Sequence, residues 1–301
     1  MLSIKKFAAI DIGSNAVRLL ISNVIQEDSL PARFKKSSLV RVPIRLGADV
    51  FLKGEISVEN QNRLKDTMLA FKLLMSSHNV VKYKACATSA MREATNGSEV
   101  VDAVFKHSEI EIDIINGEEE ATIIAATDLN DFLDVNKTYL YVDVGGGSTE
   151  FSVIHRAQKV ASKSFKIGTV RLLNDMVKKK TWTNLQKWIK EHTSDYDKID
   201  VIGSGGNINK IFKISGKAAG KPLTYFYLSN YYKTLQTYSY EERISKLDLN
   251  HDRADVIIPA TRIYLSAMKW SKSKHIYVPK IGLSDGIIKS LYYDKVSSNI
   301  L

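Results

Sequence analysis

The chain has 301 residues, 44% of them hydrophobic, with 43 Lys and Arg against 33 Asp and Glu and a formal net charge of +10. That length can fill two cores, and the apolar content excludes an acidic disordered chain while the positive balance points to an anionic partner. One cysteine, Cys86, excludes an internal disulfide and a Cys-pair zinc site, and the opening residues show no long apolar run, so the expectation is a reducing, cytoplasmic setting without a membrane.

Residues 7–11 (FAAID) and 16–23 alternate as strands across a tight Gly13-Ser14-Asn15 turn. The stretch 39–46 (LVRVPIRL) continues the extended pattern, which predicts a meander. From 57 to 77 the period becomes helical, with Leu64, Met68, Phe71 and Leu74 about one turn apart. A strand at 83–88, a helix from Ser89, a short helix around 98–106, a strand at 110–115 and a helix at 117–128 complete one α/β unit. After a polar stretch at 128–137, TYLYVDVGGGSTEFSVIH restates the opening: apolar strand, Asp, glycine turn, apolar strand. Further strands are predicted at 161–167, 200–202 and 275–279, and helices at 170–176, 184–191, 241–247, 254–270 and 284–292. A helix also follows the glycines at 203–206.

The restatement is an internal repeat headed by Asp11 and Asp143. It predicts an α/β protein of two similar lobes, 1–128 and 129–301, facing each other across a central cleft, with the last helix packing back on the first lobe. The charge sits mainly in the second: residues 151–235 carry sixteen Lys and Arg against five Asp and Glu. Lys210, Lys213 and Lys217 follow a glycine turn at a spacing that would let a helix aim some of them at one cleft; a solvated basic face has the same composition. The aromatics Tyr225, Phe226, Tyr227, Tyr231 and Tyr232 could stack bases or simply pack.

Three glycine turns follow strands: Gly13-Ser14-Asn15, Gly145-Gly146-Gly147-Ser148 and Gly203-Ser204-Gly205-Gly206-Asn207. Glycine lets backbone N–H groups approach an anion closely, so each turn can cradle phosphate. Neither the Gly-Lys-Ser/Thr phosphate loop nor the dinucleotide fingerprint is present. Asp11 and Asp143, at strand ends beside such turns, stand where a carboxylate can hold hydrated Mg²⁺ against phosphate oxygens, or cap the turn. Glu150 follows on the next strand, within reach of a metal or water. Arg92, after Thr88-Ser89-Ala90-Met91, can clamp phosphate oxygens. Glu118, Glu119 and Glu120 open a helix, either as favourable first-turn charge or with one as general base for water; spacing alone does not choose among them.

On DIGSNAVRLL (11–20), RLGADV (45–50), ATSAMREATN (87–96), INGEEEA (115–121) and VDVGGGSTEF (142–151), the chain resembles the exopolyphosphatase and guanosine pentaphosphate phosphatase family. KIGTVRL (166–172), GSGGNINKI (203–211), DRADVIIPA (252–260) and LSDGII (283–288) extend the match over nearly the whole length. The resemblance implies two ribonuclease-H-like lobes of the actin, Hsp70 and sugar-kinase superfamily, and Mg²⁺-dependent hydrolysis of the terminal phosphoryl group of inorganic polyphosphate or of pppGpp. It implies Glu120 as catalytic base, Arg92 as phosphate-binding arginine, Asp143 and Glu150 near metal and water, and 145–148 and 203–206 as phosphate loops. A homodimer, no specific nucleic-acid partner, and a short two-lobe form suited to shorter substrates are further expectations. Three departures stand out: Ala16 where the family usually has Ser, Gly206-Asn207 where Gly-Thr is common, and Lys289 where an acidic residue is expected. The competing readings are an ATP-dependent kinase of the same superfamily, which lacks a sequence warrant for an acceptor site, and a polyanion-binding module without hydrolysis.

Overall fold

The computed structural model describes residues 2–125, 127 and 134–293. By contact the chain divides into two units: the described residues up to Thr127 together with those from Leu283 onward, and the residues between, ending at Gly282. The polar stretch expected at 128–137 and the end of the helix expected at 117–128 lie largely outside the described residues.

In the first unit, β1 (Leu2–Ile12), β2 (Val17–Glu27) and β3 (Arg33–Val42) form an antiparallel meander, and β4 (Val80–Ala87) and β5 (Ile112–Ile114) add in parallel beyond β1, giving the order β3-β2-β1-β4-β5. Strand β1 is buried throughout its Ala8–Ile12 half, as strands covered on both faces are. Helices α1 (Leu46–Lys53), α2 (Val58–Ser77), α3 (Ser89–Glu93), α4 (Gly97–Ser108) and α5 (Gly117–Ala125) fill the connections. Ser57 caps α2 by accepting from the Asn60 amide, and Leu64, Met68, Phe71 and Met75 make its buried stripe.

The second unit repeats this plan. Strands β6 (Thr138–Val144), β7 (Thr149–His155) and β8 (Gln158–Phe165) form the meander, and β9 (Ile199–Ser204) lies parallel to β6. The two-residue β10 (Leu223–Thr224) and β11 (His275–Tyr277) complete the order β10-β11-β9-β6-β7-β8. Its helices are α6 (Thr169–Leu173), α7 (Lys179–Thr193), α8 (Gly206–Ile214), α9 (Tyr225–Thr237), α10 (Tyr240–Ser245), α11 (His251–Ala254) and α12 (Ile257–Trp270). The core gathers Phe151, Phe165, Trp188, Ile208, Leu228 and Tyr264 around β6 and β9.

The last helix, α13 (Leu283–Tyr292), packs on β1, β2, β4 and α5 of the first unit. Gly286 makes the close approach possible, since a Cβ there would stand 2.1 Å from the Ile123 carbonyl oxygen. Three elements differ from the pattern reading, one being α9, a thirteen-residue helix where the sequence reading named aromatics but no helix. The extended stretch expected to run to residue 46 stops at Val42, because Pro43 has no N–H for the ladder, and α1 begins at Leu46. The helix expected over 254–270 is broken after Ala254: the ring of Pro259 would collide with the carbonyl four residues back, so α12 restarts at Ile257 with the proline in its first turn. No helix among the described residues is long and apolar enough to cross a membrane.

Candidate active site

In the first unit Asp11 lies one residue before the end of β1, buried, with its Oδ2 3.0 Å from the Arg18 guanidinium on β2. Burial pushes the Asp11 carboxyl above its ordinary range, more than Arg18 draws it down. The Gly13-Ser14-Asn15 turn closes with the Gly13 amide donating to the Ala16 carbonyl at 3.1 Å. Its carbonyls are held from the side: Gly47 N–H donates to Ser14 at 2.8 Å and Arg45 N–H to Asn15 at 3.2 Å. The hydroxyls of Ser14 and Ser89 lie 2.9 Å apart, joining this turn to the start of α3. Arg92, in the same short helix, donates from Nη1 to the Ile115 carbonyl at 2.5 Å, which ties α3 to the loop ahead of α5.

The structure distinguishes the three glutamates of α5. Asn116 Oδ1 accepts from the amides of Glu118 and Glu119, and Glu119 Oε2 accepts in return from the Asn116 amide at 2.8 Å. That reciprocal cap occupies Glu119 and leaves Glu118 on the surface. Glu120, one position further round the helix, turns inward and is 9% exposed. It lies close enough to Cys86 for its charge, with that of Asp11, to reinforce the effect of burial, which carries the thiol up to about 12. Cys86 is therefore a neutral core side chain rather than a nucleophile.

In the second unit Asp143 stands one residue before the end of β6 and directly opposite Glu150 on β7. Glu150 is buried and accepts through Oε1 from the hydroxyls of Ser148 at 2.6 Å and Ser164 at 2.9 Å. Two neutral phenols, Tyr141 and Tyr264, are held protonated by burial and by the Asp143 charge. Tyr264 also hydrogen-bonds the Ser204 carbonyl, bracing β9 where the glycine turn begins. At that turn Gly205 has φ 114, a conformation only glycine adopts readily, and a Cβ there would lie 2.9 Å from the Val144 carbonyl and 3.6 Å from Asp143 Oδ1. The Gly205 turn and Asp143 are therefore in one place, and α8 starts from that turn with Asn207 in its first turn.

The loop Gly145-Gly146-Gly147-Ser148 has the most defined orientation. Thr169 N–H donates to the Gly145 carbonyl at 3.0 Å, Val170 N–H to Gly146 at 2.9 Å, and Arg171 Nε to Gly147 at 2.7 Å. All three glycine carbonyls thus point to the start of α6. The amides of Gly146, Gly147 and Ser148 donate to no acceptor among the described residues. Successive N–H groups turned to one side in this way form a nest for an anion. Gly168 sets the spacing, because a Cβ on it would sit 2.2 Å from the Gly146 carbonyl oxygen.

The lysines proposed as a track are partly committed elsewhere. Lys210 donates to the Asp248 carbonyl at 2.6 Å and Lys217 to the Pro222 carbonyl at 2.9 Å, while Lys213 is exposed near the end of α8. Pattern reasoning missed Arg18, Gly47, Ser164, Gly168, Arg171 and Tyr264. Four of these lie inside or beside quoted motifs, but nothing in a TVRLL segment signals that its arginine is buried; Arg171 is 8% exposed.

Among the described residues no three His, Cys, Asp or Glu side chains gather as a cation cage. Mg²⁺ in phosphoryl-transfer sites is commonly held by one or two carboxylates plus phosphate oxygens and water, and the facing Asp143 and Glu150 match that mode.

Comparison with known proteins identifies the fold and the family. The solved exopolyphosphatase from Cytophaga hutchinsonii is 22% identical and superposes with a TM-score of 0.83 over 97% of this chain and 99% of its own. The Ppx/GppA family member of Aquifex aeolicus, 24% identical, gives 0.76 over 98% and 100%. These likenesses show the two-lobe α/β fold. In sequence, the bifunctional 3-dehydroquinate synthase/phosphatase of Fusobacterium nucleatum is 34% identical over 220 residues, 66% of this chain and 32% of that protein. Exopolyphosphatase 2 of Mycobacterium tuberculosis is 30% identical over 181 residues, 57% of this chain and 54% of that protein. The matched region therefore covers about a third to a half of the length of these relatives. The model of the Ppx/GppA phosphatase family matches residues 37–294, and with about six-sevenths of its length inside that match the chain belongs to the Ppx/GppA phosphatase family.

Proposed function

We propose that the protein is an exopolyphosphatase that removes the terminal phosphoryl group of inorganic polyphosphate by Mg²⁺-dependent hydrolysis. The observation that carries this reading is the 145–148 loop, whose three glycine carbonyls are held by α6 while the amides of Gly146, Gly147 and Ser148 remain to receive phosphate oxygens. Such fixed donors stabilise charge that grows on oxygen as a phosphoanhydride breaks, without reorganising at the moment of reaction. Mg²⁺, held by Asp143 and Glu150, would supply further neutralisation of the phosphate oxygens. Glu120 takes the proton from water; the water oxygen attacks the terminal phosphorus, the bridging P–O bond breaks, and its electron pair leaves with the shortened chain. The products are phosphate and a polyphosphate one unit shorter. Glu120 suits the base role because its two neighbours in the triplet are a cap and a surface residue. Arg92 and the Gly205-Gly206-Asn207 turn add phosphate contacts in this reading. Its substrate is the anion chain itself; pppGpp would also require recognition of guanine.

The test is phosphate release with Mg²⁺ from short polyphosphate, long polyphosphate and pppGpp, comparing wild type with Glu120→Gln. The expected result is release from polyphosphate and a loss of roughly a thousandfold in turnover in the variant, with polyphosphate binding kept. Near-normal turnover in the variant would remove Glu120 from its role. Release from pppGpp alone would transfer the substrate to the nucleotide, and release from none would leave a polyanion-binding module.

A further inference from the structure

The second unit has a cavity of about 1020 Å³ at the opposite end of its sheet from the glycine loops. Strands β6, β9 and β11 run parallel, and their C-terminal ends lead to the loops described above. The cavity lies at their N-terminal ends, where Ile199, Asp200 and His275 line it. Asp200 and Ser204 are separated by roughly 13 Å along β9. In open α/β sheets substrates occupy the C-terminal ends of the strands, so this cavity is a place apart from the proposed chemistry.

Its lining is strongly basic. Lys190, Lys198, Lys269, Lys272 and Lys274 surround it, with Asp197 and Asp200 the acidic residues on its wall. Asp200 is buried and already neutralised, its carboxylate 3.8 Å from Lys137 and 3.5 Å from His275 Nδ1. None of the five lysines reaches a carboxylate within ion-pair distance among the described residues. Five ammonium groups around one concavity repel one another, and a cavity with low-dielectric walls concentrates their field. Helices α7 and α12 also end here, and Lys190 and Lys269 are explained as last-turn charges that complement the helix dipoles. Lys198, Lys272 and Lys274 lie beyond the helices and have no such role. The helix carbonyls are themselves served by local donors: Thr193 Oγ1 bonds Ile189, Ser271 Oγ bonds Ala267, and Ser273 N–H bonds Met268. The charge of Lys198, Lys272 and Lys274 is therefore in excess of what the helix ends account for, and all five lysines are exposed on the cavity lining.

We infer that this cavity is a second anion site that binds an oligophosphate, distinct from the hydrolytic loops and independent of whether those loops turn polyphosphate over. Half-buried Tyr196 and Trp270 also line it, packed against the core at its wall. The shared chemistry is a run of phosphates, whose source is either an inorganic chain or a nucleoside triphosphate; stacking on Trp270 would favour the latter.

The test is isothermal titration of the whole chain with inorganic tripolyphosphate, and separately with ATP, in EDTA so that binding is read without turnover. Wild type is compared with Lys272→Glu/Lys274→Glu and with Lys178→Glu/Lys179→Glu, which makes the same charge change on exposed residues of the same unit outside the cavity. The expected result is two classes of site in wild type, one of which weakens roughly tenfold in the cavity variant while neither changes more than about twofold in the control. ATP binding tighter than tripolyphosphate would assign the nucleotide; equal or weaker binding would assign the phosphate chain alone. No binding by wild type, equal weakening in both variants, or no change in the cavity variant would each overturn the inference.

Discussion

The two hairpins that open the two units share a backbone and differ in charge. In the first, Asp11 pairs across the strands with Arg18; in the second, Asp143 pairs at the same register position with Glu150. Both turns close identically, Gly13 N–H to the Ala16 carbonyl and Gly145 N–H to the Ser148 carbonyl. Both are held from the side by a segment after the third strand, through Arg45 and Gly47 in one unit and Thr169, Val170 and Arg171 in the other. A basic residue opposite the aspartate makes a local ion pair. A second carboxylate there concentrates negative charge that suits a cation. The repeat has kept the scaffold and divided the electrostatics, and under the proposed function the second hairpin is the one that would take phosphate and metal.

The widest separation between the hairpins is expected from the glycine that touches each turn. A Cβ on Gly168 would lie 2.2 Å from the Gly146 carbonyl oxygen, and backbone cannot move aside cheaply. A Cβ on Gly47 would instead meet the Phe51 ring at 2.7 Å and the Ser14 Cβ at 2.8 Å. Gly168→Ala should push the nest off α6 and lower polyphosphate turnover about a hundredfold, since a displacement near 1 Å suffices for such a loss. Gly47→Ala should cost about 1–3 kcal/mol of stability through overpacking and affect turnover much less. Phosphate release and denaturant unfolding on both variants check the pair, and equal effects on turnover would erase the distinction between the hairpins.

Glu150→Gln sharpens the same contrast at smaller amplitude. Glutamine still accepts from the Ser148 and Ser164 hydroxyls, so stability should stay within about 1 kcal/mol. Loss of one of two facing carboxylates should raise the Mg²⁺ concentration for half-maximal phosphate release roughly tenfold. An unchanged Mg²⁺ dependence would take Glu150 out of the metal site.

Much of this scaffold was legible in the residues. DIGSNAV and DVGGGST announce the repeat, and the spacing of Leu64, Met68 and Phe71 matches the buried stripe of α2, which Met75 completes in place of the expected Leu74. The deeper equivalence was present but unread: Leu46-Gly47 and Ile167-Gly168 occupy matching places, yet only the contacts of the two glycines show that they do the same work. Helix α1 is hidden in the sequence because the apolar alternation of β3 continues past Pro43 into Ile44 and Leu46. The glutamate triplet could not be resolved by spacing, since all three residues fit a first turn; the hydrogen bonds of Asn116 separate them. Long-range placements such as Arg171 beneath Gly147, or α13 against α5 through Gly286, depend on tertiary packing that no local period encodes.

The smallest expected effect concerns the ion pair of the first hairpin. Asp11 is buried and its native carboxyl titrates above the ordinary value of 3.8, so the folded protein holds this proton more tightly than the unfolded chain. The stability that the protonated group contributes is fully present below 3.8 and is lost as pH rises through the native value. Arg18 limits that loss by favouring the charged carboxylate. In Arg18→Gln the native value should move higher still, and the decline in stability should extend over a wider range of pH. The variant and wild type should therefore be closest in strongly acid solution, with a gap that opens as pH rises towards neutrality. Because Arg18 is 35% exposed, solvent screens the pair, and the gap at neutral pH should be about 1 kcal/mol rather than the larger figure of a fully buried pair. Denaturant unfolding of both proteins across this pH range measures it. A gap that does not vary with pH would mean that Arg18 supports the hairpin by packing alone, and the electrostatic division between the two hairpins would then rest on Glu150.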